Sequence, residues 1–355
     1  MVFTMHDLVH DLARSVMGDE LHDASKEFKQ FEGSNCRYAF LADINKPLNS
    51  YVSYPDKITA LHFLGSSETR HCSTTGFSAA KYLRVLDLGE SSLDKLPSSV
   101  GQLKLLRYLN APGIKDQVIP SSITKLSKLI YLNLCGCFNI SALPESIGEL
   151  EALLYLDLSG CMEIRKLPES FGKLKSLVHL NLSSCGANGI PGVLHNHTKL
   201  QHLNLSYCKV AEQGLLEVID KLIELRYLCL SGCFSYVPSV TVFDILDRIS
   251  TLPNLEHLNL AHNYSIEAIS DSIHNLRKLD TLDLSHCMSL KELPRNMADM
   301  NNLKLLIVDE CNDLDMSTLP INKSLIPLPT FMVHAIEGEQ SSNLILLKDV
   351  NPRAP

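Results

Sequence analysis

Seven cysteines stand in a line along the sequence: Cys137, Cys161, Cys185, Cys208, Cys233, Cys287 and Cys311, with Asn263 filling the one gap. Thiols can hold zinc, pair as disulfides or act as nucleophiles. Zinc sites bring their ligands in close pairs, whereas these positions follow one another at 24, 24, 23, 25, 30, 24 and 24 residues. Cys135 beside Cys137 is the single close pair, so the regular series points to a structural task. A second series, Tyr108, Tyr131, Tyr155, His179, His202, Tyr227 and His257, has the same rhythm. Its rings offer apolar area with a polar handle, which suits contact with a partner protein. Its histidines lie 23 residues or more apart, which is poor metal-ligand spacing. A third series runs Asp87, Asn110, Asn133, Asp157, Asn181, Asn204, Cys229, Asn259 and Asp283. Neither a nucleophile elbow nor a carboxylate pair at fixed spacing accompanies these series, so no enzyme is expected.

What positions them is a repeat. The pattern L-x-x-L-x-L begins at Leu83, Leu129, Leu153, Leu177, Leu200, Leu225, Leu255, Leu279 and Leu303, with degenerate copies at Ile58 and Leu106. The eleven starts are 25, 23, 23, 24, 24, 23, 25, 30, 24 and 24 residues apart. Alternating leucines make a short strand with one buried face. One such strand cannot bury its leucines alone, but stacked copies bury them against each other. The tyrosine and histidine series occupies the third position, which faces outward. The acid and amide series holds the fifth, also outward. Cys229 falls there and is expected to be the most reactive thiol. The cysteine and asparagine line is the ninth position; the pattern resembles leucine-rich repeats, and the resemblance implies that this Cys or Asn turns inward and can satisfy loop backbone groups.

The second half of most repeats has its own wording: Leu96-Pro97 to Leu103, Leu143-Pro144 to Leu150 and Leu167-Pro168 to Leu174 all read L-P-x-x-φ-G-x-L, where φ is apolar. Weaker forms stand at Ile119-Pro120, Ile190-Pro191 and Leu293-Pro294. Proline fixes its own φ and suits an irregular turn. Glu212 to Ile223 departs from this form and reads as an amphipathic helix with Leu215, Leu216, Ile219, Leu222 and Ile223 apolar. The 30-residue repeat adds Phe234 to Ile249, expected as a bulge or short helix.

This wording resembles leucine-rich repeats. The resemblance implies an α/β fold: a leucine-rich-repeat solenoid, or horseshoe, of about 11 repeats. A parallel β-sheet would line its concave face, with irregular and short helical segments on the convex side. The concave series Tyr108, Tyr131, Tyr155, His179, His202, Tyr227 and His257 would then be the partner-binding surface.

The bulk numbers agree with a binding protein. The chain has 355 residues and a net charge of −8, so no basic field favours nucleic acid. No run of 18 apolar residues exists to span a membrane, and Met1-Val-Phe-Thr-Met-His-Asp7 is not a signal peptide, so a cytoplasmic location is expected. Six Asn-x-Ser/Thr sequons, at Asn139, Asn181, Asn196, Asn204, Asn263 and Asn322, read as by-products of the repeat wording.

Residues 4–16 form a short amphipathic pattern with Leu8, Val9, Leu12, Ala13 and Val16 on one face. Within it, Met5-His6-Asp7-Leu8-Val9-His10-Asp11-Leu12-Ala13 resembles the motif that closes the winged helix of the NB-ARC module in coiled-coil-type plant NLR disease-resistance proteins. The resemblance implies that Met5, His6 and Asp7 are switch residues and that His6 contacts bound ADP where the whole module is present. No G-x-x-x-x-G-K-[ST] loop occurs, so no cofactor is expected in this chain; ADP and ATP are implied for the full-length family. The domains expected are 1–20, a winged-helix remnant; 21–56, a linker or entry segment; 57–320, the repeats; and 321–355, a tail linking to a missing second repeat block. A role in plant innate immunity follows from the resemblance, with a pathogen effector, a guarded host protein or the receptor's own NB-ARC domain as partner. The alternative is a stand-alone intracellular repeat scaffold in signalling. A receptor-kinase ectodomain would bring a signal peptide, cysteine caps and an L-x-G-x-I-P wording, and none is present.

Overall fold

The computed structural model describes residues 37–41, 48, 52–63, 77, 79–89, 91, 93–186, 190–209, 212–234 and 237–318, and the backbone of three further strands. Residues 1–20, and with them Met5, His6, Asp7 and the amphipathic pattern, lie outside the described residues, as do Cys36 and Cys72. The chain divides into two units, Met1–Leu177 and Val178–Pro355, at a boundary inside the repeat run.

The first unit is a parallel sheet of β1 (Leu21–Asp23), β2 (Tyr38–Leu41), β3 (Ala60–Phe63), β4 (Val85–Asp87), β5 (Tyr108–Asn110), β6 (Tyr131–Asn133) and β7 (Tyr155–Asp157). Each strand is three or four residues long because only the centre of L-x-x-L-x-L is extended. Equivalent positions pair directly, Leu109 with Leu132 and Leu132 with Leu156, so every inward leucine meets its counterpart in the next turn. Leu83, Leu86, Leu106, Leu109, Leu129, Leu132 and Leu153 are fully buried, each worth about 1.5–3 kcal/mol in area removed from water. The segment 21–56 supplies β1 and β2, and β2 pairs with β3. Its inward residues in β2, Ala39 and Leu41, lack the leucine wording by which the other turns are recognised.

The second unit continues the pattern with β8 (His179–Asn181), β9 (His202–Asn204), β10 (Tyr227–Cys229), β11 (His257–Asn259), β12 (Thr281–Asp283) and β13 (Leu305–Ile307), all parallel. β14 (Ser324–Pro327) and β15 (Leu344–Lys348) pair antiparallel, and β15 lies antiparallel to β13, so the tail covers a sheet edge that would otherwise present open backbone groups.

Opposite the strands, each L-P-x-x-φ-G-x-L segment folds into a turn of 3-10 helix, as at Ser98–Gln102, Ser121–Lys125 and Glu169–Lys173. Pro97, Pro120 and Pro168 precede them with φ of −70°, −61° and −65°, within the range that the proline ring imposes. The glycine has a steric reason. A Cβ on Gly148 would lie 2.1 Å from the Ser170 carbonyl oxygen of the next turn, and one on Gly101 would lie 2.3 Å from that of Ser122. Successive turns therefore pack through the space a side chain would occupy.

Three turns of the second unit carry α-helix. The helix expected over 212–223 is shorter: α2 (Glu212–Val218) passes into a 3-10 turn at Ile219–Lys221, following the four-residue α1 (Ile190–Val193). Leu215, Ile219 and Leu222 are buried, but Ile223 is half exposed because the chain has already turned toward the next strand. The 30-residue repeat carries α3 (Ser239–Ile249), an amphipathic helix that buries Val242, Ile245, Leu246 and Ile249. No helix among the described residues is long and apolar enough to cross a membrane.

Candidate protein-binding face

The in-register pairing lays the third-position rings side by side. In the first unit Tyr108, Tyr131 and Tyr155 stack with ring centroids 4.3 Å apart at both steps and planes within 13°. Strands are about 4.8 Å apart, so the rings lean into contact. In the second unit His179 and His202 stack at 5.3 Å, His202 and Tyr227 at 5.7 Å, and Tyr227 and His257 sit tilted at 6.3 Å. Six of the seven rings are half-buried with outer edges in solvent; Tyr108 is the exception, 7% exposed, and offers a partner the least.

The rings are poised for contact more than for proton transfer. Burial, together with the nearby Asp87 and Asp157 carboxylates, pushes the Tyr108 and Tyr155 hydroxyls far above the ordinary phenol range. Burial, then the charges of His257 and Arg226, lowers His202 below its ordinary value. A neutral imidazole and two protonated phenols result at physiological pH, with hydrogen-bonding edges and no charge to desolvate when a partner lands.

The fifth-position series is part of the frame. Most of its side-chain oxygens accept the N–H two residues on: Asp87 from Gly89 at 2.9 Å, Asn133 from Cys135 at 2.8 Å, Asp157 from Ser159 at 2.8 Å, Asn204 from Ser206 at 2.9 Å and Asp283 from Ser285 at 3.0 Å; Asn110, followed by Pro112, accepts from Asn133 instead. The amides also bridge turns, Asn110 to Asp87 at 2.7 Å and Asn133 to Asn110 at 2.9 Å. Burial tends to raise the Asp87 carboxyl, but bonds from His62, Gly89 and Asn110 outweigh it and hold it below the ordinary value. That stabilisation is present above the unfolded carboxylate pKa of about 3.9 and is lost as pH falls through the lower folded value.

Cys229, expected at the outward surface as the most reactive thiol, is instead buried at 5% exposure. Burial pushes its pKa up, so little thiolate forms at neutral pH. The sulfur is too short to reach past its longer in-register neighbours, Asn204 and Asn259.

The ninth-position line does what its spacing implies. The Cys161 thiol donates to the Leu134 carbonyl at 3.3 Å, Cys208 to Leu182 at 2.9 Å, Cys233 to Leu205 at 2.9 Å, Cys287 to Leu260 at 3.3 Å and Cys311 to Leu284 at 3.0 Å. Each acceptor is the sixth position of the preceding turn. Asn263 adds an acceptor: its amide donates to Leu230 and Leu260 at 2.9 and 2.8 Å, and its oxygen takes the Phe234 N–H at 2.8 Å. Phe234 begins the segment that the 30-residue repeat adds, so the long turn and the one asparagine belong together. Asn263 is fully buried and Asn181 and Asn204 hold loop N–H groups, which makes poor glycan acceptors of all three.

A feature missed in the sequence is the eighth position, where the backbone takes positive φ in turn after turn: glycine at 113, 136, 160 and 232, but Ser184, Tyr207, His262, His286 and Glu310 elsewhere. The recurring glycines were the available signal.

Comparison with known proteins agrees with this geometry. Residues 129–238 match the family described as "Leucine-rich repeat region", and 247–288 match "Leucine rich repeat". No curated protein sequence matches the chain. Among solved structures, a leucine-rich-repeat protein of Leptospira interrogans is 18% identical with a TM-score of 0.56, covering 87% of this chain and 94% of that one. The TLR13 chain of a TLR13–ssRNA13 complex is also 18% identical, with a TM-score of 0.54, over 82% of this chain but 45% of that one. At such identities the likeness is one of fold. Repeat register, backbone-satisfying ladders and the matches over 129–238 and 247–288 together give this chain the α/β leucine-rich-repeat fold.

Proposed function

We propose that this chain is the recognition segment of a plant intracellular immune receptor of the nucleotide-binding leucine-rich-repeat class, working in the cytoplasm. On this reading Tyr131, Tyr155, His179, His202, Tyr227 and His257, with Tyr108 behind them, bind a protein: a pathogen effector, a guarded host protein or the receptor's own nucleotide-binding module. One observation carries the binding role. Six of the rings are half-exposed on the strand face, while fifth- and ninth-position acids, amides and thiols are engaged by the backbone or by one another. A ligand acts in such a receptor by favouring one conformational state over another. The immune assignment is supported by the Met5-His6-Asp7 to Ala13 wording and the L-P-x-x-φ-G-x-L turns. The 355 residues contain no G-x-x-x-x-G-K-[ST] loop, and on this reading ADP or ATP is held by another part of the receptor.

The test is the mass of the native product, read by immunoblot with an antibody against residues 129–238. The proposal expects a band far heavier than the 39.5 kDa of these 355 residues. A band at 39.5 kDa would sink it in favour of a stand-alone repeat scaffold.

A further inference from the structure

The second unit carries another row of rings, at the C-terminal ends of its strands. The eighth position of each turn donates its N–H to the following turn: Gly113 to Cys135 at 2.8 Å, Tyr207 to Ser231 at 2.7 Å, His262 to Ser285 at 2.8 Å and His286 to Asp309 at 2.7 Å. Positive φ goes with this bond, 64° to 70° at the glycines and 57°, 57° and 58° at Tyr207, His262 and His286. Glycine meets that demand without strain, and L side chains do not. The first unit answers with Gly113, Gly136 and Gly160, whereas most turns of the second unit carry large side chains in the same slot. The backbone does not need those side chains.

They are arranged with respect to one another. His262 and His286 stack at 4.3 Å with planes 11° apart, and Tyr207 lies 6.0 Å from His262 although it stands two turns away. It spans the gap because the intervening slot is Gly232, where a Cβ would come within 2.6 Å of the Tyr207 ring. With faces turned on each other, the two imidazoles present edges, which donate and accept as peptide groups do. Beside the row, Tyr264 and Met288 are 47% and 41% exposed, and Tyr207 itself 54%. The next turn continues the slot with Glu310, and both Glu310 and Asp313 are exposed carboxylates.

We propose that this rim docks an extended segment of a partner protein carrying apolar side chains and, at one end, a basic one. The row crosses four strand steps from β9 to β13, about 19 Å, which matches roughly six residues of extended chain. Apolar side chains lie against Tyr264 and Met288. The basic side chain meets Glu310, with Asp313 beside Lys291 in the same turn region, and the His286 imidazole edge bonds the peptide backbone. The carboxylates that favour a basic peptide disfavour a phosphate backbone. This surface is separate from the third-position rings, and its test does not depend on them.

The experiment uses the full chain and two fluorescent eight-residue peptides, one alternating leucine and arginine, the other leucine and glutamate, read by polarisation at physiological salt. The arginine peptide is expected to bind at least about tenfold more tightly, the size of a modest hot-spot effect. Tyr207→Gly with His286→Gly should weaken it about tenfold without lowering the unfolding midpoint, because glycine is native to this slot in other turns. Glu310→Lys should reverse the preference between the peptides. Equal binding of the two peptides, absence of binding, or binding indifferent to the double glycine variant would overturn the proposal. So would self-association of the chain that the double variant abolishes, which would make the occupant a second copy.

Discussion

Asn263→Ala is expected to cost about 3–4 kcal/mol, the largest single effect on stability in the second unit. Its side chain makes three hydrogen bonds at zero exposure. Alanine leaves the Leu230 and Leu260 carbonyls and the Phe234 N–H buried without those bonds, and the space is too closed for water to enter freely. The unfolding midpoint should fall by about 10 °C in a unit of this size. Asn263→Cys separates donor from acceptor. Cysteine serves this slot in Cys233 and Cys287, donating to the preceding turn, but a thiol is a weak acceptor for Phe234. It should recover part of the loss, leaving about 1–2 kcal/mol. Chemical denaturation of the three proteins checks the order. If cysteine were as good as asparagine, the long repeat would not need the acceptor, and the coupling drawn between Asn263 and Phe234 would be mistaken.

Gly148→Ala is the second large effect, at about 2–3 kcal/mol lost. The added methyl would meet the Ser170 carbonyl at 2.1 Å, and a backbone oxygen cannot swing aside as a side-chain end can. Alanine gains about 0.4–1 kcal/mol by restricting the unfolded chain, and the clash outweighs it. Gly192→Ala in α1 is the counter-case: nothing lies within 4 Å of its Cβ, so the entropy term acts alone and stability should rise slightly. Hydrogen exchange should show the loss at Gly148 concentrated around the Glu169–Lys173 turn. A neutral Gly148→Ala would mean that the turns can separate without penalty.

Much of the frame was legible because it repeats. The L-x-x-L-x-L register located β3 to β13, and the ninth-position line took its hydrogen-bonding task from its register together with the resemblance to leucine-rich repeats. The third-position rings also followed from register, since in-register pairing must stack them. What was hidden lacked that signal. β2 has Ala39 and Leu41 in place of the leucine pattern. Tyr207, His262 and His286 look unrelated in sequence until their shared positive φ joins them to Gly113, Gly136, Gly160 and Gly232. Cys229 was misjudged because position along a strand tells which way a side chain points and not whether its longer neighbours cover it. The fifth-position amides could have been surface or frame from spacing; the N–H two residues on decides for the frame.

The central claim is that the third-position rings are where a partner protein sits. The most direct measurement places a photo-crosslinking phenylalanine derivative at one position at a time in the full chain, exposed to extract of the native tissue. Tyr131 and Tyr227 represent the strand face; Glu149 and Glu217, both exposed, represent the turn side. The account predicts a discrete adduct, the same protein from 131 and from 227, with none from 149 or 217. Adducts formed only at 149 and 217 would contradict it and move the binding surface to the opposite side of the repeats.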